Sequence, residues 1–183
     1  VMGVPTHAMD ILAELQKRDI AQLGEVSIFY MAGAPIPHQT ADRMLSMGIT
    51  PQNVYGMTEN GSHSYTLPDD STDVITGTCG KSSRVYEVKI WSESNPDEEA
   101  APGEVGEIGG RGAMLMLGYF NNQFATESSF HARGCVMSGD LGLIDRDGIL
   151  QFVGRKKYLI IRGGHNIYPA RIEDLALRHK EII

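Results

Sequence analysis

The stretch VSIFYMAGAPIP, residues 26–37, gives the first indication of the fold. Its first six residues form a mostly apolar run, which is typical of a strand buried on both faces. The six that follow are rich in Gly and Pro and predict a loop. A helix is predicted at about 38–47, and a short strand at 52–55. Because strand–helix–strand crossovers have one preferred hand, we expect the two strands to be parallel.

Unusual loops follow both predicted strands. AGAP occupies residues 32–35, and GMTEN occupies residues 56–60. Ligands of open α/β sheets lie at the carboxyl ends of the strands, which favours a binding site here. Taken alone, VYGMTEN (54–60) is more typical of a strand exit with an exposed Glu59 than of a ligand site.

The flanking segments extend this pattern in both directions. Residues 6–18 predict an amphipathic helix with Thr6 as its N-cap, and Pro169 predicts the start of a last helix. The middle of the chain predicts a β-rich region. Its expected elements are strands at 85–91, near 104–110 and at 113–119, a hairpin at 142–154 that turns at 146–148, and a strand at 158–161.

Composition excludes several classes of function. The 183 residues carry a net charge of −7, which argues against nucleic-acid binding. No apolar run reaches transmembrane length, and no signal peptide is visible. Two widely spaced cysteines, Cys79 and Cys135, fit a reducing compartment and predict a cytoplasmic protein. The chain begins with Val, so we expect it to be a piece of a longer protein.

Three groups of residues offer chemistry for a nucleotide. Tyr55 can stack on a heterocycle, while Thr58 can bind phosphate and Glu59 can hold Mg²⁺. Asp140, in SGDLG, can accept both hydroxyls of a ribose, and Arg155 can bind hydroxyl or phosphate. Each group also has an ordinary interpretation, as a strand exit, a turn Asp or a basic linker.

Five blocks in register resemble the adenylate-forming superfamily of acyl-CoA synthetases, peptide-synthetase adenylation domains and luciferases. They span nearly the whole chain but only the middle-to-late portion of a family member. The blocks are AGAP, NVYGMTE, GEVGEIGGRGAMLMLGY, SGDLGLIDRDGILQFVGRKK and IIRGGHNIYPARIED.

The resemblance implies a role for each candidate residue. Thr58 and Glu59 would be catalytic, with Glu59 as the Mg²⁺ ligand, and Tyr158 would lie at a hinge. Gly163 and Gly164 would line the path of CoA. The acid pocket would lie near Gly33, Gly56, Met57 and Gly61. The nucleotide-binding set would be Gly33, Ala34, Pro35, Asn53, Tyr55, Gly56, Met57, Thr58, Asp140 and Arg155.

The implied fold is α/β, with a parallel α/β subdomain and a small β-rich, barrel-like subdomain. A small α+β C-terminal domain would then begin. The expected bounds are 1–73 for the first part, 74–154 for the second, 155–158 for the hinge and 159–183 for the start of the last domain.

Several features depart from the family pattern. The phosphate loop expected upstream and the catalytic lysine expected downstream are both absent. Tyr158 replaces the usual hinge Asp or Lys, Cys135 replaces a common Trp, and Ser138 replaces a common Thr. The 183 residues alone are therefore expected to be largely inactive.

The resemblance predicts part of an acyl-CoA synthetase that uses ATP, Mg²⁺, CoA and a carboxylic acid. One alternative is an adenylation domain that loads a carrier protein. The other is a non-catalytic nucleotide-binding module. The oligomeric state cannot be inferred from the sequence.

Overall fold

The computed structural model describes residues 1–163 and 165–177, which form a mixed α/β structure with three sheets. Three helices lie between the strands of the first half, α1 (Pro5–Lys17), α2 (His38–Ser46) and α3 (Thr72–Gly77). The first sheet has the order β1 (Met2–Gly3), β2 (Ile28–Ala32), β3 (Thr50–Met57), β4 (Gly61–Tyr65), β5 (Lys81–Ser82).

The predicted strand–helix–strand unit is confirmed. Strands β2 and β3 pair in parallel, with Ala32 opposite Val54, and α2 connects them. Strands β4 and β5 then continue the sheet antiparallel. The sheet is therefore parallel where the chain crosses over and antiparallel where it turns back.

Strand β2 is buried on one face rather than on both. Phe29 and Met31 are 1% and 0% exposed, whereas Tyr30 between them is 40% exposed. The buried side chains pack against helices α1 and α2 in one hydrophobic core. The expectation of burial on both faces was wrong because, in the described part of the chain, Tyr30 stays accessible.

The second sheet is an antiparallel meander, as predicted for the β-rich half. Helix α4 (Gln123–Ser129) lies within it in sequence. The hairpin turn predicted at 146–148 is confirmed. The strands, in spatial order, are β6 (Tyr86–Ser92), β7 (Gly106–Gly112), β8 (Val136–Ile144) and β9 (Leu150–Arg155).

The last described part is small. A 3₁₀ turn at Lys156–Tyr158 leads into the hairpin of β10 (Ile160–Arg162) and β11 (His165–Ile167), and helix α5 (Pro169–Leu177) follows. Pro169 begins this helix, as predicted. Among the described residues, no helix is long and apolar enough to cross a membrane.

Two local predictions were wrong. Helix α1 begins at Pro5 with Val4 as its N-cap, so Thr6 lies inside the first turn. Proline favours the first helical position because its φ is preset and its missing N–H has no helical acceptor there. Residues 113–119 are not a strand, because this segment crosses the end of the β3–β4 hairpin, where Met116 N donates to Glu59 O at 2.8 Å.

Candidate nucleotide-binding site

A cleft of about 500 Å³ is lined by residues of both larger sheets. The structure brings together most of the predicted nucleotide-binding residues on its walls. These are Gly33, Ala34, Pro35, Asn53, Tyr55, Gly56, Met57, Asp140 and Arg155.

The strand ends explain this convergence. Because β2 and β3 are parallel neighbours, the loop after Ala32 and the last residues of β3 lie at the same edge of the sheet. Gly33 has a φ of +87°, a left-handed conformation that glycine adopts without strain. The chain therefore turns sharply after β2 and forms one wall of the cleft.

Asp140 is the buried carboxylate of the cleft. It lies on β8, is 3% exposed, and accepts a hydrogen bond from the Tyr55 hydroxyl to Oδ2 at 2.9 Å. The Arg155 Nε atom, on the paired strand β9, lies 2.9 Å from Oδ1. Its N–H does not point along that line, so Oδ1 is a buried oxygen with a charge partner but no hydrogen bond to the described residues.

The electrostatics of this group follow from its burial. Burial raises the pKa of Asp140, while the hydrogen bond from Tyr55 and the charge of Arg155 act in the opposite direction. Burial, and then the nearby Asp140 charge, raise the pKa of Tyr55, so its hydroxyl keeps its proton and remains a donor. An oxygen without a hydrogen bond, in a cleft, is suited to accept one from a ligand hydroxyl.

Two further aromatic rings, those of His63 and Tyr86, pack behind Tyr55. The ring of His63 meets it edge to face at 5.3 Å, and Tyr86 stacks on His63 at 4.3 Å. His63 is 1% exposed, and burial lowers its pKa to about 4. The neutral imidazole therefore acts as packing for the cleft wall.

Asn53 is buried and already uses its amide nitrogen, because Nδ2 donates to Thr78 O at 2.6 Å. That bond ties β3 to the segment after α3. The side chain therefore presents its carbonyl end, an acceptor, as the group still available to a heterocycle amino group.

Gly56 is required by its own sheet. A Cβ on Gly56 would lie 2.0 Å from the carbonyl oxygen of Gly61 on the paired strand. Gly61 itself has a φ of +68° and begins β4 after a tight turn. The absence of a side chain at Gly56 therefore allows strands β3 and β4 to pair, independently of any role in ligand binding.

Thr58 and Glu59 lie in the β3–β4 turn, beyond the residues that line the cleft. Thr58 is exposed, and Glu59 is half-buried. The hydroxyl of Tyr119 donates to Glu59 Oε1 at 2.8 Å, and Met116 N donates to Glu59 O. One carboxylate oxygen is thus held, and the described residues provide no hydrogen bond to the other.

This arrangement fits Mg²⁺ held together with phosphate, rather than by protein alone. Among the described residues, no group of three His, Cys, Asp or Glu side chains could hold a metal ion. Mg²⁺ usually binds one or two carboxylates, with waters and substrate phosphates filling its other positions. A single oriented Glu59 meets that requirement.

The remaining predicted residues lie outside the cleft lining. Gly163, with a φ of +60°, lies in the turn between β10 and β11, and a Cβ built on it would meet none of the described residues within 4 Å. Tyr158 is 59% exposed at the end of the 3₁₀ turn. Gly164 lies outside the described residues.

Sequence reasoning missed about half of the cleft lining. His38, which no sequence motif singled out, lines the cleft, and its Nε2 lies 3.0 Å from the Thr76 hydroxyl. No pattern predicted α3, a six-residue helix capped by Ser71. Strand β9 was predicted, and its side chains beside Arg155 could have been expected here. The missed residues are His38, Val54, Thr76, Gly77, Thr78, Cys79, Gln151, Phe152, Val153, Arg171 and Leu175.

The family follows from a sequence comparison. Residues 1–120 match the family described as AMP-binding enzyme. The chain belongs to the AMP-binding enzyme family. The resemblance seen in the five sequence blocks is thereby confirmed.

Relatives within the family are CoA ligases. The chain is 32% identical over 182 residues to the medium-chain fatty-acid–CoA ligase of Escherichia coli (strain K12). The matched region covers 100% of this chain and 32% of the ligase. It is 33% identical over 188 residues to the 2-succinylbenzoate–CoA ligase of Geobacillus kaustophilus (strain HTA426), covering 100% of this chain and 38% of that enzyme. The chain therefore spans about a third of the length of these curated relatives.

Solved structures agree with the fold of this AMP-binding chain. O-succinylbenzoate coenzyme A synthetase of Bacillus subtilis, in complex with ATP and magnesium ion, matches with a TM-score of 0.84 and 32% identity over 97% of this chain and 36% of the synthetase. ATP-bound MatB of Rhodopseudomonas palustris matches with a TM-score of 0.80 and 30% identity over 94% of this chain and 34% of MatB. The predicted α/β fold class is confirmed.

Proposed function

We propose that this chain supplies the nucleotide-binding part of an AMP-forming acid–thiol ligase, an acyl-CoA synthetase. The observation that carries the proposal is the buried Asp140 on the wall of the cleft, whose Oδ1 lies beside Arg155 but accepts no hydrogen bond from the described residues. Tyr55 and Arg155 line the same cleft. Family membership and the CoA ligases among the relatives support the same conclusion.

In this proposal, ATP lies in the cleft with its ribose at Asp140. The two ribose hydroxyls donate to the carboxylate, and Arg155, whose side chain is 51% exposed, swings off Oδ1 to make room. The adenine lies between the Gly33–Pro35 wall and the Tyr55 ring, with the Asn53 carbonyl available to its amino group.

The triphosphate then points toward the β3–β4 turn. Thr58 would contact a phosphate oxygen, and Glu59 would hold Mg²⁺, which would supply positive charge to stabilise the phosphate oxygens. A carboxylate oxygen of the acid attacks the α-phosphorus, the bond to the bridging oxygen breaks, and pyrophosphate leaves. In the second step the CoA thiolate attacks the acyl carbon, and AMP leaves.

The remaining residue roles are part of the same proposal. Gly163 and Gly164 line the CoA path. The segment 155–158, which ends at Tyr158, is the hinge between the β-rich part at 74–154 and the part that begins at 159. The first α/β part spans residues 1–73. The acid is apolar, either acyl, alicyclic or aromatic, because Met57 and the glycines Gly33, Gly56 and Gly61 leave an adaptable, roomy wall. The cytoplasmic location rests on Cys79 and Cys135, which are both free and buried.

The proposal is tested by acid-dependent exchange of pyrophosphate into ATP. The full-length protein that carries these residues is assayed with acetate, a medium-chain fatty acid, an aromatic acid and an alicyclic acid. Exchange with one class establishes adenylation and names the substrate. CoA-dependent release of AMP then separates a CoA ligase from a carrier-loading domain. ATP binding without exchange for any acid would support a non-catalytic nucleotide-binding module instead.

A further inference from the structure

Strand β8 carries a bulge that includes the cleft carboxylate, Asp140. In its pairing with β7, Glu107 lies opposite Leu141 and Gly109 lies opposite Met137. Three residues of β8, Ser138, Gly139 and Asp140, therefore face the single residue Ile108. Bulges beside functional sites re-aim a side chain, and this one contains Asp140, the residue of β8 that lines the described cleft.

A bulge leaves backbone groups without ladder partners, and here side chains replace them. The Ser138 hydroxyl donates to Ile108 O at 2.7 Å and accepts from Asp140 N at 3.0 Å. Glu107 Oε1 accepts from Gly139 N at 3.2 Å. Gly139 has a φ of +70°, so the turn also needs the conformational freedom of glycine.

The second oxygen of Glu107 has a different partner. Oε2 forms an ion pair with Lys156, the residue that follows Arg155. The Glu107 side chain is 15% exposed, and that of Lys156 is 57% exposed. The largely buried Glu107 carboxylate therefore contacts Gly139, the residue before Asp140, and Lys156, the residue after Arg155.

We infer that Glu107 is a positioning residue for nucleotide binding, which holds the β8 bulge and the start of the 155–158 segment so that Asp140 and Arg155 face the cleft. Glu107 does not line the cleft, so it acts through its two neighbours rather than by touching the ligand. The inference rests on the proposed nucleotide-binding function.

Three variants separate the two interactions of Glu107. Glu107→Ala removes both, Glu107→Gln keeps an acceptor for Gly139 N but loses the ion pair, and Lys156→Met removes only the ion pair at an exposed site. Glu104→Gln is the matched control. Glu104 is exposed in the loop just before β7, and its substitution removes one negative charge, as Glu107→Gln does. ATP binding is measured by calorimetry on the full-length protein without acid substrate, so that no turnover occurs.

The expected order of ATP dissociation constants follows the number of interactions that each substitution removes. We expect an increase of roughly tenfold for Glu107→Ala and roughly threefold for Glu107→Gln and for Lys156→Met, with Glu104→Gln unchanged. Glu107→Gln combined with Lys156→Met should be no weaker than either single variant, because both remove the same ion pair.

The pH dependence provides a readout that a loss of stability would not produce. Among the described residues, the titratable and charged groups around Asp140 are Arg155 from β9, Glu107 from β7, Cys79 from the segment after α3, and Tyr55 from β3, which donates to it. ATP affinity should fall as Asp140 gains its proton. In Glu107→Gln that fall should move to lower pH, because a neighbouring negative charge is gone. In Lys156→Met it should move to higher pH, because the charge of Glu107 is no longer balanced.

The outcomes distinguish this inference from the proposed function. If the wild-type protein binds no ATP, the proposed function and the inference are both overturned. If it binds ATP and the Glu107 variants match the wild-type affinity and pH dependence, only the inference is overturned. Should Glu107→Ala not fold, opposite pH shifts in Glu107→Gln and Lys156→Met still support it, and shifts in the same direction contradict it.

Discussion

Asp140 and Glu59 are the two carboxylates of the proposed site, and the fold holds them in opposite ways. Asp140 is 3% exposed, with partners on strands of both larger sheets, Tyr55 and Arg155. Glu59 is half-buried in a turn and, within the described part of the chain, has one side-chain partner, Tyr119. A buried carboxylate therefore needs partners supplied by tertiary structure, whereas a turn carboxylate needs only orientation and stays available to a cation.

The largest effect is expected from Asp140→Asn. The amide keeps the shape of the side chain but loses the charge that pairs with Arg155 and strengthens hydrogen bonds from ribose hydroxyls. ATP affinity of the full-length protein should fall roughly a hundredfold, about 2.7 kcal/mol. Calorimetric titration measures it, with Asp147→Asn in the exposed β8–β9 turn as the control. An unchanged affinity would remove Asp140 from the ribose site.

The buried His63, which packs against Tyr55, should make the folding stability fall at acid pH. The folded-state pKa of His63 is lowered from 6.5 to about 4, so the unfolded chain takes up a proton first as the pH falls. The stability from the neutral, buried ring is fully present above pH 6.5 and is lost as the pH falls toward 4. Between about pH 6.5 and pH 5 this loss is about 2 kcal/mol.

His63→Phe removes that titration and keeps an aromatic ring between Tyr55 and Tyr86. The unfolding free energy, from denaturant titrations across this pH range, should depend less on pH in the variant than in wild type. His165→Gln, at an exposed site on β11, should keep the wild-type pH dependence. Equal slopes in His63→Phe and wild type would mean that His63 is not the buried group responsible.

Glu59→Gln tests the second carboxylate of the comparison, the half-buried one in the β3–β4 turn. A neutral amide is a weaker Mg²⁺ ligand, so kcat/KM for Mg²⁺-ATP should fall about tenfold, or about 1.4 kcal/mol in transition-state stabilisation. The folding stability should change little because the side chain is only half-buried. Pyrophosphate exchange measures the kinetics, and Glu25→Gln in an exposed loop is the control. Unchanged kinetics would exclude Glu59 as the metal ligand.

The smallest effect is expected from Tyr119→Phe. Losing the hydroxyl removes the hydrogen bond to Glu59 Oε1 and frees the carboxylate to rotate. The Mg²⁺ concentration for half-maximal exchange should rise about threefold, as expected for one modest hydrogen bond. Tyr30→Phe is the matched control, because Tyr30 is 40% and Tyr119 39% exposed. Equal Mg²⁺ requirements in the two variants would show that Tyr119 does not orient Glu59.

Local patterns predicted the elements that carry their own signal. The apolar run of β2, the Gly/Pro loop after it, the turn at 146–148 and the helix start at Pro169 all agree with the structure. Each depends on a property of the residues themselves, such as apolarity or restricted backbone angles.

Two of the differences between prediction and structure arise from long-range pairing. Strand β4, GSHSY, is too polar to be predicted as a strand, yet it forms because a tight turn brings it beside β3. Residues 113–119 are apolar enough to be predicted as a strand, yet they remain irregular, and Leu117 is fully exposed. Neither outcome follows from local composition, because each depends on which neighbour the segment meets.

The family, the fold class and the identity of most predicted cleft residues follow from the sequence, because side-chain chemistry and spacing survive in five ordered blocks. How these residues act together depends on the tertiary structure. It places Tyr55 against Asp140 across 85 residues and Tyr119 against Glu59 across 60. It also places Glu107 beneath the β8 bulge. These interactions join strands or turns that are distant along the chain, and their geometry arises only when the sheets form.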